Sequence, residues 1–287
     1  MDLLYAWIAS IVSGIEPLVI KATSRHLIKN SWLFNIFWVA FGIPLVAVFA
    51  ISRGAGLPVN WLLTITLSFV HALFYIFYTI SIYRMDVSTL APLFSIRTIF
   101  AVILGVIFLH EHLSVLGVVL IAAIILASPL ASYDERLKIK AFWQKSTILA
   151  ILAMFVLALA GYLTNRSVAV NGFATTLLWQ NIGVLCFLLP TGLLARSDFK
   201  QVNKRRLLPF IFLGVTEFLY TLTATRAYAH NLALSSAIVS LPLSMVFAAA
   251  LSGKYGEVLE RHSRRVYALR FGAAAIMVGS AIWLSLL

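Results

Sequence analysis

The sequence predicts an all-α integral membrane protein with ten transmembrane helices, arranged as two inverted five-helix repeats. Three observations predict it. The 287 residues are 62% hydrophobic and only 11% charged, whereas a soluble domain runs at about 45–50% apolar and about 25% charged. The apolar residues fall into long runs, each near the roughly 20 residues that a helix needs to cross a bilayer. The two halves of the chain also resemble each other at an offset of 145–146 residues. A mean hydropathy of +0.98 excludes an ordinary one-core soluble enzyme. It also excludes disorder, which needs low hydrophobicity and high net charge.

Apolar runs separated by polar breaks place the spans at 3–22, 32–52, 61–83, 86–109, 113–131, 146–166, 173–195, 207–229, 232–253 and 266–287. A backbone inside lipid must satisfy its own hydrogen bonds, so such runs adopt helix. Barrel strands would show alternating segments of about 10 residues, and none occur. The first run has no basic leading segment and no small-residue cleavage site, so it is expected to remain as a helix. The most polar long connection, 132–145, splits the spans five and five. It separates a first repeat, 1–131, from a second, 146–287. Asn35-Ile36 with Pro44 matches Asn181-Ile182 with Pro190, Lys21 matches Arg166, Tyr75 matches Tyr220, and Ser95 matches Ser240. Five is odd, so the second half enters the membrane the other way up. Inverted repeats of this kind mark secondary transporters, with a site near the midplane where the halves meet.

Residues 105–114 (GVIFLHEHLS), followed by Leu116-Gly117 and an apolar run, resemble the end-of-repeat signature of the EamA family, within the drug/metabolite transporter superfamily. Residues 85–91 (MDVSTLA) resemble that family's short turn into the fourth helix, and 233–242 (ALSSAIVSLP) its Ser-rich stretch ending in Pro. The resemblance covers both halves. It implies a membrane transporter of small molecules, more often an exporter, and names no substrate. Two departures stand out. Arg97 stands where the repeat and the family lead one to expect Pro, and the second half carries an insertion at 254–263.

An ionised side chain at the bilayer centre costs about 2.5–3.5 kcal/mol on insertion scales, so it persists where it is paired, wet or used. Glu16 in the first span is followed by Pro17, which removes a backbone donor and predicts a kink. The stretch Gly14-Ile15-Glu16-Pro17, with Lys21 one turn on, is similar to the first helix of small multidrug transporters. That resemblance implies a membrane-buried Glu that exchanges protons against substrate, which makes Glu16 the candidate proton-coupling residue. The other reading is a structural ion pair with Arg97 or Lys21. On the second span, Trp38 and Asn35 are candidate substrate contacts. On the third, His71, Phe74, Tyr75 and Tyr78 recur at i, i+3, i+4 and i+7 and form one stripe. Its hydroxyls and imidazole need partners in an apolar setting, so it is either a cavity wall or core packing.

Arg97 lies near the middle of the fourth span, and its guanidinium stays charged. It either pairs with Glu16 or Glu217 or holds a substrate carboxylate or phosphate. His110-Glu111-His112 is not a metal site: an i, i+2 spacing points the imidazoles apart and no third ligand is near in sequence. It reads as a polar connection. On the seventh span, Trp179, Gln180 and Asn181 are further substrate candidates, with Trp179 alternatively part of an interfacial belt. Glu217 on the eighth span either lines the site or is a hydrated charge near a helix end, and Tyr220 shares its face. No Gly-rich phosphate loop, Ser/His/Asp triad or hydrolase carboxylate pair occurs, so neither an enzyme nor a cofactor is expected. The single Cys186 excludes an intrachain disulfide.

The net charge of +12 would suggest nucleic acid in a soluble protein. Here the basic residues sit between apolar runs and report topology instead. Sixteen of the 22 Lys and Arg fall in loops after odd-numbered spans, and only Arg53 and Arg166 in loops on the other side. The count places both termini outside the cytoplasm, whereas the family resemblance implies both inside, and the count is the stronger signal. The basic stretch 254–265 is expected at the cytoplasmic surface, against anionic lipid. The expected partners are a small-molecule substrate, protons, membrane lipid and a second copy of the chain, in a bacterial inner membrane and with no nucleic acid. The function expected is proton-linked alternating-access transport of a small amphoteric, amino-acid-like metabolite. Two other readings stay open: a flippase for an amphipathic head group, and a non-transporting membrane subunit.

Overall fold

The computed structural model describes residues 2–26, 28–84, 93–131, 145–199, 204–244, 246–247 and 264–287. Among these residues there are helices and no strand. In chain order the α-helices of eight residues or more are α1 (Asp2–His26), α2 (Ser31–Ser52), α3 (Trp61–Arg84), α4 (Leu93–Phe108) and α5 (Val115–Ala131). The second half follows with α6 (Lys145–Asn171), α7 (Phe173–Leu188), α8 (Lys204–His230), α9 (Leu232–Val239) and α10 (Arg264–Leu284). Short polar side chains set several starts. Asn30 accepts the N–H groups of Trp32 and Leu33, Asn60 that of Leu63, Ser114 that of Gly117 and Asn231 that of Leu234. Each satisfies a donor that the first helical turn leaves open.

Among the described residues, six stretches are long and apolar enough to cross a membrane: Leu3–Thr23, Ser31–Ser52, Trp61–Arg84, Lys145–Asn171, Phe173–Ala195 and Leu207–His230. Leu93–Phe108, Val115–Ala131 and Ala268–Leu284 are shorter apolar helices. Part of the difference from ten arises because residues 85–92 and 248–263 lie outside the described ones. The side chains are sorted as a hydrocarbon solvent demands. Val48, Leu62, Leu126 and Leu193 are exposed, while Glu16, Asn35, Arg97, Gln180 and Glu217 are buried. The chain is an all-helical integral membrane protein.

Two expected spans are interrupted, both at proline. The helix expected over 232–253 ends at Val239, and Leu241-Pro242 leave it before a helical turn resumes at Leu243. Pro242 has no N–H and disfavours helix at the residue before it. The helix expected over 173–195 tightens into a 3-10 turn over Leu189–Ala195, at Pro190. The turn at 85–91, residues 132–144 of the connection and the insertion 254–263 lie outside the described residues.

Packing comes in mates. α3 lies chiefly against α6, and α1 against α8; α2 lies against α8, and α3 against α7; α4 lies against α6, and α9 against α1. The pairs α5–α10, α4–α9 and α2–α7 are further major contacts. Exchanging each helix for the one five places along returns the same pairs. Small residues let the helices approach. A Cβ on Gly214 would lie 2.6 Å from the Phe41 carbonyl, so the α2–α8 crossing requires glycine there. Two apolar cores result. One is rich in aromatics (Phe34, Trp38, Phe74, Tyr75, Phe210) and the other in alanine (Ala6, Ala101, Ala158, Ala224, Ala237).

Candidate functional site

Three ionisable side chains from three helices meet in one hollow. Glu16 comes from α1, Arg97 from α4 and Glu217 from α8, and they are 6%, 1% and 2% exposed. An aromatic wall of Trp38, Phe74, Tyr75, Tyr78, Phe94 and Tyr220 surrounds them, with Ser13, Leu157 and Val239 completing the lining. The lining draws on both cores. The hollow has a volume of about 30 Å³. That is room for about two water molecules in this conformation.

The two carboxyl groups are held differently. Glu217 is well served: the Tyr75 hydroxyl donates to its Oε1, and the Thr221 hydroxyl donates to the same atom at 2.8 Å. Glu217 is therefore a buried member of the site and not a hydrated helix-end charge. Glu16 lies near enough to Glu217 for their charges to interact, and Thr216 hydrogen-bonds it. Its Oε1 has no hydrogen-bond partner among the described residues. The Lys21 Nζ donates to the Ile82 carbonyl at 2.9 Å.

Arg97 is a buried cation with unmet donors. It hydrogen-bonds Tyr220, and its guanidinium carbon stands 5.1 Å from the centre of the Tyr228 ring. Its Nε and Nη2 have no partner among the described residues, so neither donates to Glu16 or Glu217. Leaving a buried charged group underserved is costly unless something else completes it. A guanidinium fork suits a planar carboxylate or a phosphate. The unmet carboxylate oxygen of Glu16 suits a donor of positive charge. One hollow thus offers both signs and an aromatic wall.

The model of the EamA-like transporter family matches residues 1–133. That family lies within the drug/metabolite transporter superfamily. A solved structure, described only as the crystal structure of a protein, matches with a TM-score of 0.73 at 15% identity, covering 98% of this chain and 96% of that one. At that identity the likeness is one of fold. Among curated proteins, none matches this chain by sequence.

Within the EamA-like repeat, α4 runs unbroken through Arg97. Its counterpart at the offset of 145 is Pro242, where the second half breaks its helix. The end-of-repeat residues have a structural task. The Glu111 carboxylate accepts the N–H of Leu232 at 2.5 Å and that of Ala233 at 3.0 Å, so the loop after α4 caps α9 of the other half. His110 takes a left-handed conformation there (φ 54°), and a Cβ on Gly105 would press on the end of the Glu111 side chain. The polar connection read from the sequence is thus also a cross-half cap.

Other expected site residues fall outside the main hollow. His71 pairs with the Gln180 amide at 2.5 Å, stacks on Tyr75 and lines a smaller neighbouring space with Tyr220 and Tyr228. Trp179 is not in either space. Its Nε1 donates to the Gly56 carbonyl at 2.7 Å and its ring meets Trp61, because α7 turns that face toward the α2–α3 loop. Asn35 accepts from Thr79, and Asn181 donates to the Leu177 carbonyl of its own helix. Ser13, Phe94, Leu157 and Val239 line the hollow without having been singled out in the sequence. Only Ser13 carried a signal, since it lies three residues before Glu16 on the same helical face.

Proposed function

We propose that this chain is a secondary transporter that carries a small amphoteric metabolite, of amino-acid type, across a bacterial inner membrane by alternating access. Arg97 takes the carboxylate of the substrate, Glu16 exchanges a proton against its cationic group, and the aromatic wall packs its body. Glu217, held by Tyr75 and Thr221, fixes the negative side of the hollow. The two halves act as inverted repeats that rock about the site, with all ten helices spanning and both termini outside the cytoplasm. The single observation that carries this reading is the pairing of unmet groups of opposite sign in one buried hollow: Oε1 of Glu16 and Nε and Nη2 of Arg97. The mated packing of the helices supports the rocking halves, and the family of the first half supports transport of a small molecule.

The reading is tested by binding. The purified protein is screened by thermal shift against a library of amino acids, carboxylates and amines. Zwitterions are expected to raise the melting temperature more than compounds bearing either charge alone. The rise should vanish in both Glu16→Gln and Arg97→Gln. A response to cations alone that survives Arg97→Gln would contradict the two-sign site.

A further inference from the structure

A separate hollow of about 690 Å³ opens at one end of the bundle. Arg53 from the end of α2 and Arg226 from the last turns of α8 line it, with Asn171, Thr175 and Tyr5. At 1.5 Å per residue, Arg226 lies roughly 14 Å along α8 from Glu217, and Tyr5 roughly 17 Å along α1 from Glu16. The hollow is therefore distinct from the central one. Its size falls within the roughly 300–1,000 Å³ of small-molecule pockets.

Its two arginines are arranged alike. Among the described residues each is held by a ring and by no carboxylate: Arg226 lies 4.1 Å over Phe173 and Arg53 lies 5.4 Å over Phe49. A ring face fixes a guanidinium while leaving its in-plane N–H donors available. The rim is tied together by hydrogen bonds. The Gly56 N–H donates to Thr175 Oγ1 at 3.2 Å, the Asn60 N–H to Asn171 Oδ1 at 2.8 Å, and Trp179 Nε1 to the Gly56 carbonyl at 2.7 Å. The start of α7, capped by Gly172 with no side-chain acceptor, adds partial positive charge to the same wall.

We propose that this hollow is an anion-binding vestibule in which Arg53 and Arg226 receive the carboxylate or phosphate group of a solute. It goes beyond the transport reading and stands without it. If both hold, the vestibule is the first station on a route that ends at Arg97. Two positive forks at a mouth raise the local concentration of an anion and its rate of arrival. Lipid head groups offer the same phosphate chemistry, so the test separates the two sources.

The full-length protein in nanodiscs of neutral lipid is titrated with inorganic phosphate, against chloride at matched ionic strength, by calorimetry. Saturable phosphate binding is expected. It should weaken tenfold or more in the Arg53→Gln/Arg226→Gln variant and less than twofold in Arg97→Gln. The Arg53→Lys/Arg226→Lys variant keeps the charge and loses the forks, and it should bind at least threefold more weakly than wild type. An unchanged melting temperature in chloride checks that each variant is folded. Nanodiscs containing phosphatidylglycerol that abolish phosphate binding would assign the site to lipid phosphate, and nanodiscs that leave it unchanged would assign it to a soluble anion. No saturable binding, or equal binding in wild type and both paired variants, would overturn the proposal. Binding lost in Arg97→Gln and kept in the Gln pair would also overturn it, by moving the anion to the central hollow. The readout is equilibrium binding of phosphate alone, so a failure of transport or of zwitterion binding is a separate result.

Discussion

At Arg97 a permanent cation is shut away from solvent with two of its nitrogens unmet. Breaking a buried ion pair by removing one partner costs about 3–5 kcal/mol, whereas replacing an underserved buried charge by an apolar side chain is neutral or stabilising. Arg97→Met is therefore expected to keep or raise the melting temperature while abolishing substrate binding. A fall matching 3 kcal/mol or more would mean that Arg97 is a structural partner instead. Tyr75→Phe removes one of two donors to Glu217 and should cost about 1–3 kcal/mol in denaturant unfolding. An unchanged midpoint would remove Tyr75 as the support of Glu217. Glu16 and Arg97 were legible in the sequence because charge within an apolar run is conspicuous. The burial of Glu217 was not, because it depends on Tyr75 of another helix. Trp38 and Trp179 look alike in sequence, yet one lines the hollow and the other faces a loop. Helix rotation decides between them, and long all-apolar helices give little periodic signal to fix it.

Among the elements, α9 depends on a partner from the other half. Its first N–H groups are satisfied by Glu111 from the loop after α4, as well as by Asn231. Glu111→Ala should cost about 1–2 kcal/mol, as the loss of a charged helix cap does. Gly105→Ala should cost more in the wild type than in the Glu111→Ala background, because the carboxylate fills the space a Cβ needs. Additive effects in that double-mutant cycle would show that the two residues are independent. Existence and order of the helices were readable from apolar runs. The break of α9 at Pro242 is masked in the sequence because a hydropathy run continues across the proline. The role of Glu111 was equally hidden: nothing near it in sequence indicates that Leu232 and Ala233 will sit against it.

Among the described residues, the offset of 145–146 residues between the halves has its counterpart in main helix pairs that exchange with one another when α1–α5 and α6–α10 are swapped. The asymmetry of Lys and Arg leads us to expect both termini outside the cytoplasm. A reporter active only in the cytoplasm, fused after Leu287, should therefore be silent, and an active fusion would reverse the orientation. The central claim concerns the hollow shared by Glu16, Arg97 and Glu217. The most direct measurement places purified protein in liposomes, imposes a pH gradient, offers the standard amino acids together and reads the lumen by mass spectrometry. Uphill accumulation of at least one of them is expected in the wild type, with Glu16→Gln reduced to equilibration or less and Arg97→Gln inactive. Movement that ignores the gradient and is the same in wild type and both variants would contradict the account.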